Sequence, residues 1–198
     1  MYAEQAVAGP QAVVVGIDEV GRGSVAGPLT VAAVALPLEP MIPGLDDSKK
    51  LTAKRREALA QAIRSAALAY SVAHVAPSRI DRIGMARALR EAMTAALEGT
   101  GVEPDLVLID GNPVNIHAKE RCIVKGDATV ACIAAASIVA KVTRDALMVE
   151  ASDHYPGYGL ARNKGYASSE HIAAIQQHGL TSFHRATFCH NFLQAPLF

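Results

Sequence analysis

Three short apolar runs in this chain each lead into carboxylates, and that pattern constrains the fold more than any other feature. Val13 to Ile17 runs into Asp18 and Glu19, Leu106 to Ile109 into Asp110, and Arg121 to Val124 into Lys125, Gly126 and Asp127. Runs this short suit buried strands better than helices. Strand ends in an α/β sheet are where functional groups gather, because the loops open there while the sheet fixes their spacing. Carboxylates collected in one partly buried place repel one another. A bound cation offsets that repulsion, and oxygen ligands of this kind suit the hard ions Mg²⁺ or Mn²⁺ rather than zinc. Any one of these acids also has a plain reading as a turn former or, for Asp127, as the cap of the helix that follows. Their coincidence, with two of them adjacent, favours a metal.

The remaining pattern gives a coarse order of elements. Val25 to Leu36 reads as a second strand returning antiparallel, followed by a proline-broken loop that ends in Asp46-Asp47-Ser48-Lys49-Lys50. Thr52 can cap a helix to about Leu68, Tyr70 to Val75 alternates like a strand that Pro77 stops, and a helix covers Ile83 to Leu97. The strongest helical pattern runs from Ala128 to Ala151, Tyr155 to Tyr166 reads as a loop, and Ser168 opens a helix to His178. Aromatics make up only 5% of the chain and tryptophan is absent, so its alanine and valine point to a sheet covered by alanine-rich helices. The 198 residues, with no repeat or linker, are expected to form a single α/β domain over 1–198 with its core at about 13–192.

Lys and Arg number 19 against 19 Asp and Glu, which excludes a strongly basic nucleic-acid binder but not local patches or a field supplied by a bound cation. Cys122, Cys132 and Cys189 show no CxxC spacing, so reduced thiols in a cytoplasmic protein are expected rather than a disulfide framework or a zinc site. The N-terminus shows no secretory pattern, and the apolar run Val130 to Ala140 is too short to span a bilayer. A soluble protein with no membrane partner is expected.

A cluster of acids holding two divalent ions about 3.5–4 Å apart is the arrangement for phosphodiester hydrolysis, one ion acidifying the attacking water and the other stabilising the leaving oxygen. Gly21-Arg22-Gly23 offers backbone N–H groups that can approach a nucleic-acid backbone, and Lys49 and Lys50 could neutralise flanking phosphates or simply form a solvated pair. Gly21, Gly23 and Gly27 mimic a dinucleotide fingerprint, but the β-branched stretch after them is not a helix start. Ser24 lacks the spacing of a nucleophile elbow. His154, His171, His178, His184 and His190 show no metal-ligand spacing and are expected at the surface or at helix ends. Tyr155, Tyr158 and Tyr166, near Arg162 and Lys164, could stack on sugars or bases, or pack their loop down.

Gly16-Ile17-Asp18-Glu19-Val20-Gly21-Arg22-Gly23-Ser24-Val25-Ala26-Gly27-Pro28 resembles the N-terminal signature of the type 2 ribonucleases H. The likeness continues through Asp47 to Leu51, Ile109-Asp110-Gly111, Lys125 to Ala128, Ala136 to Asp145 and Asn163 to Tyr166, in family order. The resemblance implies a ribonuclease H-like fold, a mixed central β-sheet flanked by helices with a helical C-terminal part. It implies that Asp18, Glu19, Asp110 and Asp127 are catalytic and coordinate Mg²⁺ or Mn²⁺. It further implies that Gly21-Arg22-Gly23 reads the ribonucleotide 2′-hydroxyl and that Tyr166 packs on the sugar at the RNA-to-DNA junction. The implied reaction is hydrolysis 5′ to a ribonucleotide, in RNA–DNA hybrids or at a single ribonucleotide in duplex DNA, leaving a 3′-hydroxyl and a 5′-phosphate. Asp145 is a secondary candidate that its helix could simply expose, and Phe183-His184-Arg185 resembles a family segment without an assigned role. A monomer is expected, with no protein partner indicated. A DNA junction resolvase is disfavoured by the Gly-Arg-Gly block and Tyr166, and a non-catalytic hybrid binder by the repulsion between its carboxylates and phosphate.

Overall fold

The computed structural model describes residues 2–9 and 11–193. A short helix α1 (Ala3–Ala8) precedes strands β1 (Val14–Val20) and β2 (Leu29–Ala35), helix α2 (Ala53–Ala66), strand β3 (Ala69–Val75) and helices α3 (Pro77–Ile83) and α4 (Met85–Gly99). Strands β4 (Leu106–Asp110) and β5 (Glu120–Ile123) follow, then helices α5 (Gly126–Thr129), α6 (Ala131–His154), α7 (Leu160–Asn163), α8 (Ser169–His178) and α9 (Ala186–Leu193). The sheet order is β3-β2-β1-β4-β5. β1 pairs antiparallel with β2 and parallel with β4, so the sheet is mixed, as the resemblance implies.

Strand alternation divides the core into two layers. Val15 and Ile17 of β1, with Leu29, Val31, Ala33 and Ala35 of β2, pack on Ala88, Leu89, Ala92 and Met93 of α4. Ala32 and Val34 turn the other way, onto Leu59 and Ile63 of α2 and the alanines of α6. Those small side chains let α6 lie directly on β1. At Gly16 a Cβ would stand 2.2 Å from the Cys132 carbonyl carbon, so only glycine fits the crossing. The C-terminal helices form a further apolar layer, in which Met148, Leu160, Ile175 and Cys189 close around Val25 and Ala26.

Several boundaries differ from the sequence expectation. β1 runs on through Asp18, Glu19 and Val20, so the first two acids lie within the strand. β2 begins only at Leu29; Val25 to Pro28 is apolar because it is buried under the C-terminal layer, and it forms loop instead of strand. Pro77 ends β3 and also starts α3, since its missing N–H costs nothing in a first helical turn. The helix expected from Ala128 is two helices divided at Val130, whose backbone is extended. Asp127 therefore lies inside α5 and caps no helix. The expected 155–166 loop contains α7, and α1 and α9 had no place in the sequence reading. Among the described residues no helix is long and apolar enough to cross a membrane, and no disulfide joins the cysteines.

Candidate active site

β1 and β4, adjacent in the middle of the sheet, bring the first three acids together toward their C-terminal ends. Ile17 pairs with Ile109, so Asp18 and Asp110 follow side by side on adjacent strands. Asp18 is 6% exposed, turned toward α6, and its carboxylate is hydrogen-bonded by Ser137 and by the Glu19 N–H at 2.7 Å. Glu19, one residue on, faces the α4 side and lines an open cleft with Arg87, Met93 and Asp110. The Arg22 guanidinium stands 3.6 Å from it. Asp110 Oδ1 accepts the Gly126 N–H at 2.7 Å, which tethers the start of α5 and sets Asp127 beside the same strand ends.

The acids also feel burial and one another's charge. Burial, then the charges of Glu19 and Asp110, push the Asp18 carboxyl up to about 8. Burial also raises Glu19, with Arg22 opposing and Asp110 reinforcing. Asp127 is raised by burial and by Asp110 and Asp47, against the pull of Lys49. Lys49 Nζ lies 3.4 Å from Asp127 and 3.7 Å from Asp47. Its own ammonium is favoured despite burial because Asp47 and Asp127 face it. Lys50 turns outward to Asp46 at 3.0 Å and does not join the group. Ser48 and Ser137, both buried, meet at 2.9 Å and pin the lysine-bearing loop to α6.

Among the described residues no three His, Cys, Asp or Glu are arranged ready to close on an ion. Each acid instead holds a local partner: Asp110 the Gly126 N–H, Asp127 Lys49, and Glu19 Arg22. As a donor set the four are oxygen only, and three have their charged form disfavoured by burial and by one another. A hard divalent cation would remove that cost, so the residues fit one.

Beside the acids, two fully buried arginines shape the Gly21 to Pro28 loop. Arg144 of α6 donates to Ser24 Oγ at 2.8 Å and to the carbonyls of Pro28, Ala26 and Lys164. Arg185 donates twice to the Gly27 carbonyl and once to that of Arg22. Ser24 Oγ in turn donates to the Gly21 carbonyl at 2.9 Å. The Tyr166 ring is 40% exposed, with the Arg144 guanidinium 5.6 Å from its centre. The Gly165 carbonyl before it accepts the N–H groups of Val25 and Ala26. Tyr166 and the glycine turn are thus parts of one assembly. Tyr158 packs its loop down, its hydroxyl donating to the Gly179 carbonyl, and Tyr155 stacks on Phe183. Asp145 is half-buried in an ion pair with Lys141 at 2.7 Å.

The sequence reading assigned no role to Ser137, Arg144 or Arg185. A signal existed for Arg144: at the spacing of Ala140, Met148 and Ala151 it falls on the apolar stripe of α6, where a charge needs a buried partner. Of the histidines expected at the surface or at helix ends, His154 and His178 end α6 and α8, and His171 lies in the first turn of α8. His171 and His184 are nonetheless buried and bonded to each other, and His184 belongs to no helix.

The family model described as Ribonuclease HII matches residues 15–191. Ribonuclease HII of Laribacter hongkongensis is 49% identical over 178 residues, covering 88% of this chain and 90% of that protein. The solved ribonuclease H2 of Pyrococcus horikoshii superposes with a TM-score of 0.77 at 27% identity, covering 92% of this chain and 99% of the other. The RNase HII of Archaeoglobus fulgidus, solved in complex with PCNA, gives 0.74 at 28% identity, covering 87% and 93%. With a family model over most of its length and a relative this similar over nearly the whole of both chains, the chain belongs to the ribonuclease HII family.

Proposed function

We propose that Asp18, Glu19, Asp110 and Asp127 hold the divalent ions, Mg²⁺ or Mn²⁺, with which this chain cuts 5′ to a ribonucleotide. Membership of the family makes the chain a metal-dependent endoribonuclease acting on RNA paired or joined to DNA. The observation that carries the residue assignment is the gathering of the four acids at the C-terminal ends of β1 and β4 and the start of α5, three of them raised by burial and neighbouring charge. Bound there, the cations supply positive charge to acidify the attacking water and to stabilise the leaving 3′-oxygen. Water adds to phosphorus, the P–O3′ bond breaks, and the products are a 3′-hydroxyl and a 5′-phosphate.

The chain's own groups place the substrate. Gly23 supports the reading of Gly21-Arg22-Gly23 as the 2′-hydroxyl reader, since nothing lies within 4 Å of a Cβ built there and a sugar can approach the backbone. The exposed Tyr166 ring, set against the same loop, suits packing on the next sugar. Lys49 beside Asp127 is placed to neutralise a phosphate, and Lys50 at the rim to do so more weakly. One copy of the chain supplies every one of these groups, which supports a monomer acting on RNA–DNA hybrids and ribonucleotide-containing duplexes. Its three cysteines, joined by no disulfide among the described residues, suit the reducing cytoplasm.

The test is a labelled DNA duplex with one ribonucleotide, incubated with Mg²⁺ or Mn²⁺. Cutting 5′ to the ribonucleotide by wild type, lost in Asp18→Asn and absent on all-DNA duplex, is expected. A folded Asp18→Asn protein that cuts as wild type does would overturn the assignment.

A further inference from the structure

His171, in α8, and His184 are 0% and 4% exposed and take no part in the reaction described above. Their Nε2 atoms face each other at 3.1 Å, a contact that requires one proton between two nitrogens. The neighbours decide whose proton it is. The Thr181 N–H donates to His184 Nδ1 at 3.1 Å. The Thr181 hydroxyl, which accepts the Phe183 N–H, points at the same nitrogen from 2.9 Å. Nδ1 of His184 is therefore an acceptor, and the ring's proton sits on Nε2. That proton goes to His171 Nε2, which leaves His171 protonated at Nδ1, 2.9 Å from the Tyr166 carbonyl oxygen. A carbonyl only accepts, so the far end of the chain demands the same tautomer. Both ends agree on one neutral, one-directional arrangement.

The two ends of this relay are the two halves of the proposed substrate reader. His184 forms a β-bridge with Ala26, flanked by Gly27 N–H to Phe183 carbonyl and Arg185 N–H to Val25 carbonyl, both at 2.8 Å. This is the segment that follows the Gly21 turn. The other end grips the main chain of Tyr166. Tyr158 packs against the His184 ring at 4.8 Å between centres and against His171 at 6.3 Å, holding both in place. An apolar pair would fill this space without loss of solvation but would carry no orientation.

We propose that His171 and His184 are positioning residues that fix Tyr166 relative to Gly21-Arg22-Gly23 and so set selectivity for the RNA-to-DNA junction. The proposal rests on the reading of Tyr166 given above. His171→Phe keeps the ring and removes both nitrogens. It should lower the ratio of kcat/KM on a single-ribonucleotide duplex to that on a long RNA–DNA hybrid by about tenfold. Tyr166→Ala should lower the same ratio, and the double variant no further. His171→Asn, whose amide can donate to the Tyr166 carbonyl, should recover part of the loss. An unchanged ratio in His171→Phe beside a lost one in Tyr166→Ala overturns the positioning role and leaves Tyr166 standing. An unchanged ratio in Tyr166→Ala overturns the reading of Tyr166 itself. Should His171→Phe fail to fold, nitrogen–proton spectra of wild type decide. The proposal requires Nδ1–H on His171, Nε2–H on His184, and a His171 signal that shifts with ribonucleotide duplex and not with all-DNA duplex; any other result overturns it.

Discussion

At Gly21 a Cβ would lie 2.2 Å from Arg144 Nε, on a backbone with φ of +85°, whereas at Gly23 it would meet nothing within 4 Å. Gly21→Ala should therefore destabilise the fold by about 2–4 kcal/mol in denaturant titrations, from strained backbone and a displaced arginine. Gly23→Ala should melt within about 1 kcal/mol of wild type, yet lose at least about tenfold in kcat/KM if the methyl occupies the path of the sugar. Full activity in Gly23→Ala would mean that the substrate does not approach there. Asp18 makes a second residue-scale prediction. Its folded value of about 8 exceeds the ordinary carboxyl value of about 3.9, so its proton stabilises the fold fully below the lower value and that contribution is lost as pH rises through the upper one. Without metal, Asp18→Asn should melt above wild type at pH 8, with the gap closing toward pH 4, while cleavage is abolished. At this scale the acids were legible because each follows an apolar run. Arg185 and the histidine pair were not, because their partners are mostly backbone atoms, which leave no mark in the sequence.

The strands of the sheet were legible as elements, with errors concentrated where one segment serves two purposes. Pro77 is both the end of β3 and the start of α3, and Val25 to Pro28 has the composition of a strand because it is buried by a distant layer. β1 and α6 are the pair on which the site depends, and Gly16 is their point of closest approach. Gly16→Ala should push the helix from the strand, costing about 3 kcal/mol or more and, through Ser137, displacing Asp18. Urea melts beside activity would show both losses together; wild-type stability would mean that α6 yields easily. The Gly21 to Pro28 loop is the converse case, an element shaped by side chains from elsewhere. Removing Arg185 takes both guanidinium donors from the buried Gly27 carbonyl.

Across the whole molecule, acid should act through the buried histidines. Burial, with His171 beside it, holds His184 down to about 4, and burial lowers His171 too, while Glu170 and the Tyr166 carbonyl favour its charged form. The unfolded chain protonates near 6.5 and the folded one does not, so stability is full above that value and falls as pH drops toward 4. Because the Asp18 contribution runs the other way over the same range, the check is the difference in melting between wild type and a folded His184→Phe, which should shrink from pH 7 to pH 4.5. Mg²⁺ or Mn²⁺ should raise the melting free energy at neutral pH, by about 2.7 kcal/mol at a hundredfold excess over Kd, and do little in Asp18→Asn. The sheet and its acids could be anticipated as one site, but the meeting of 21–28 with 164–166 and 181–185 is a product of tertiary packing alone. That meeting has a consequence in time. Every strand and each of the four acids precede Ala128 in the chain, while Arg144, Tyr166, His171 and Arg185 all come after it. A ribosome therefore delivers all the strands and acids before α6, whose Ser137 bonds Asp18, and before the segments that shape the Gly21 to Pro28 loop. The site is thus finished only when residues 164–166 and 181–185 have been made and have closed on the loop formed by 21–28.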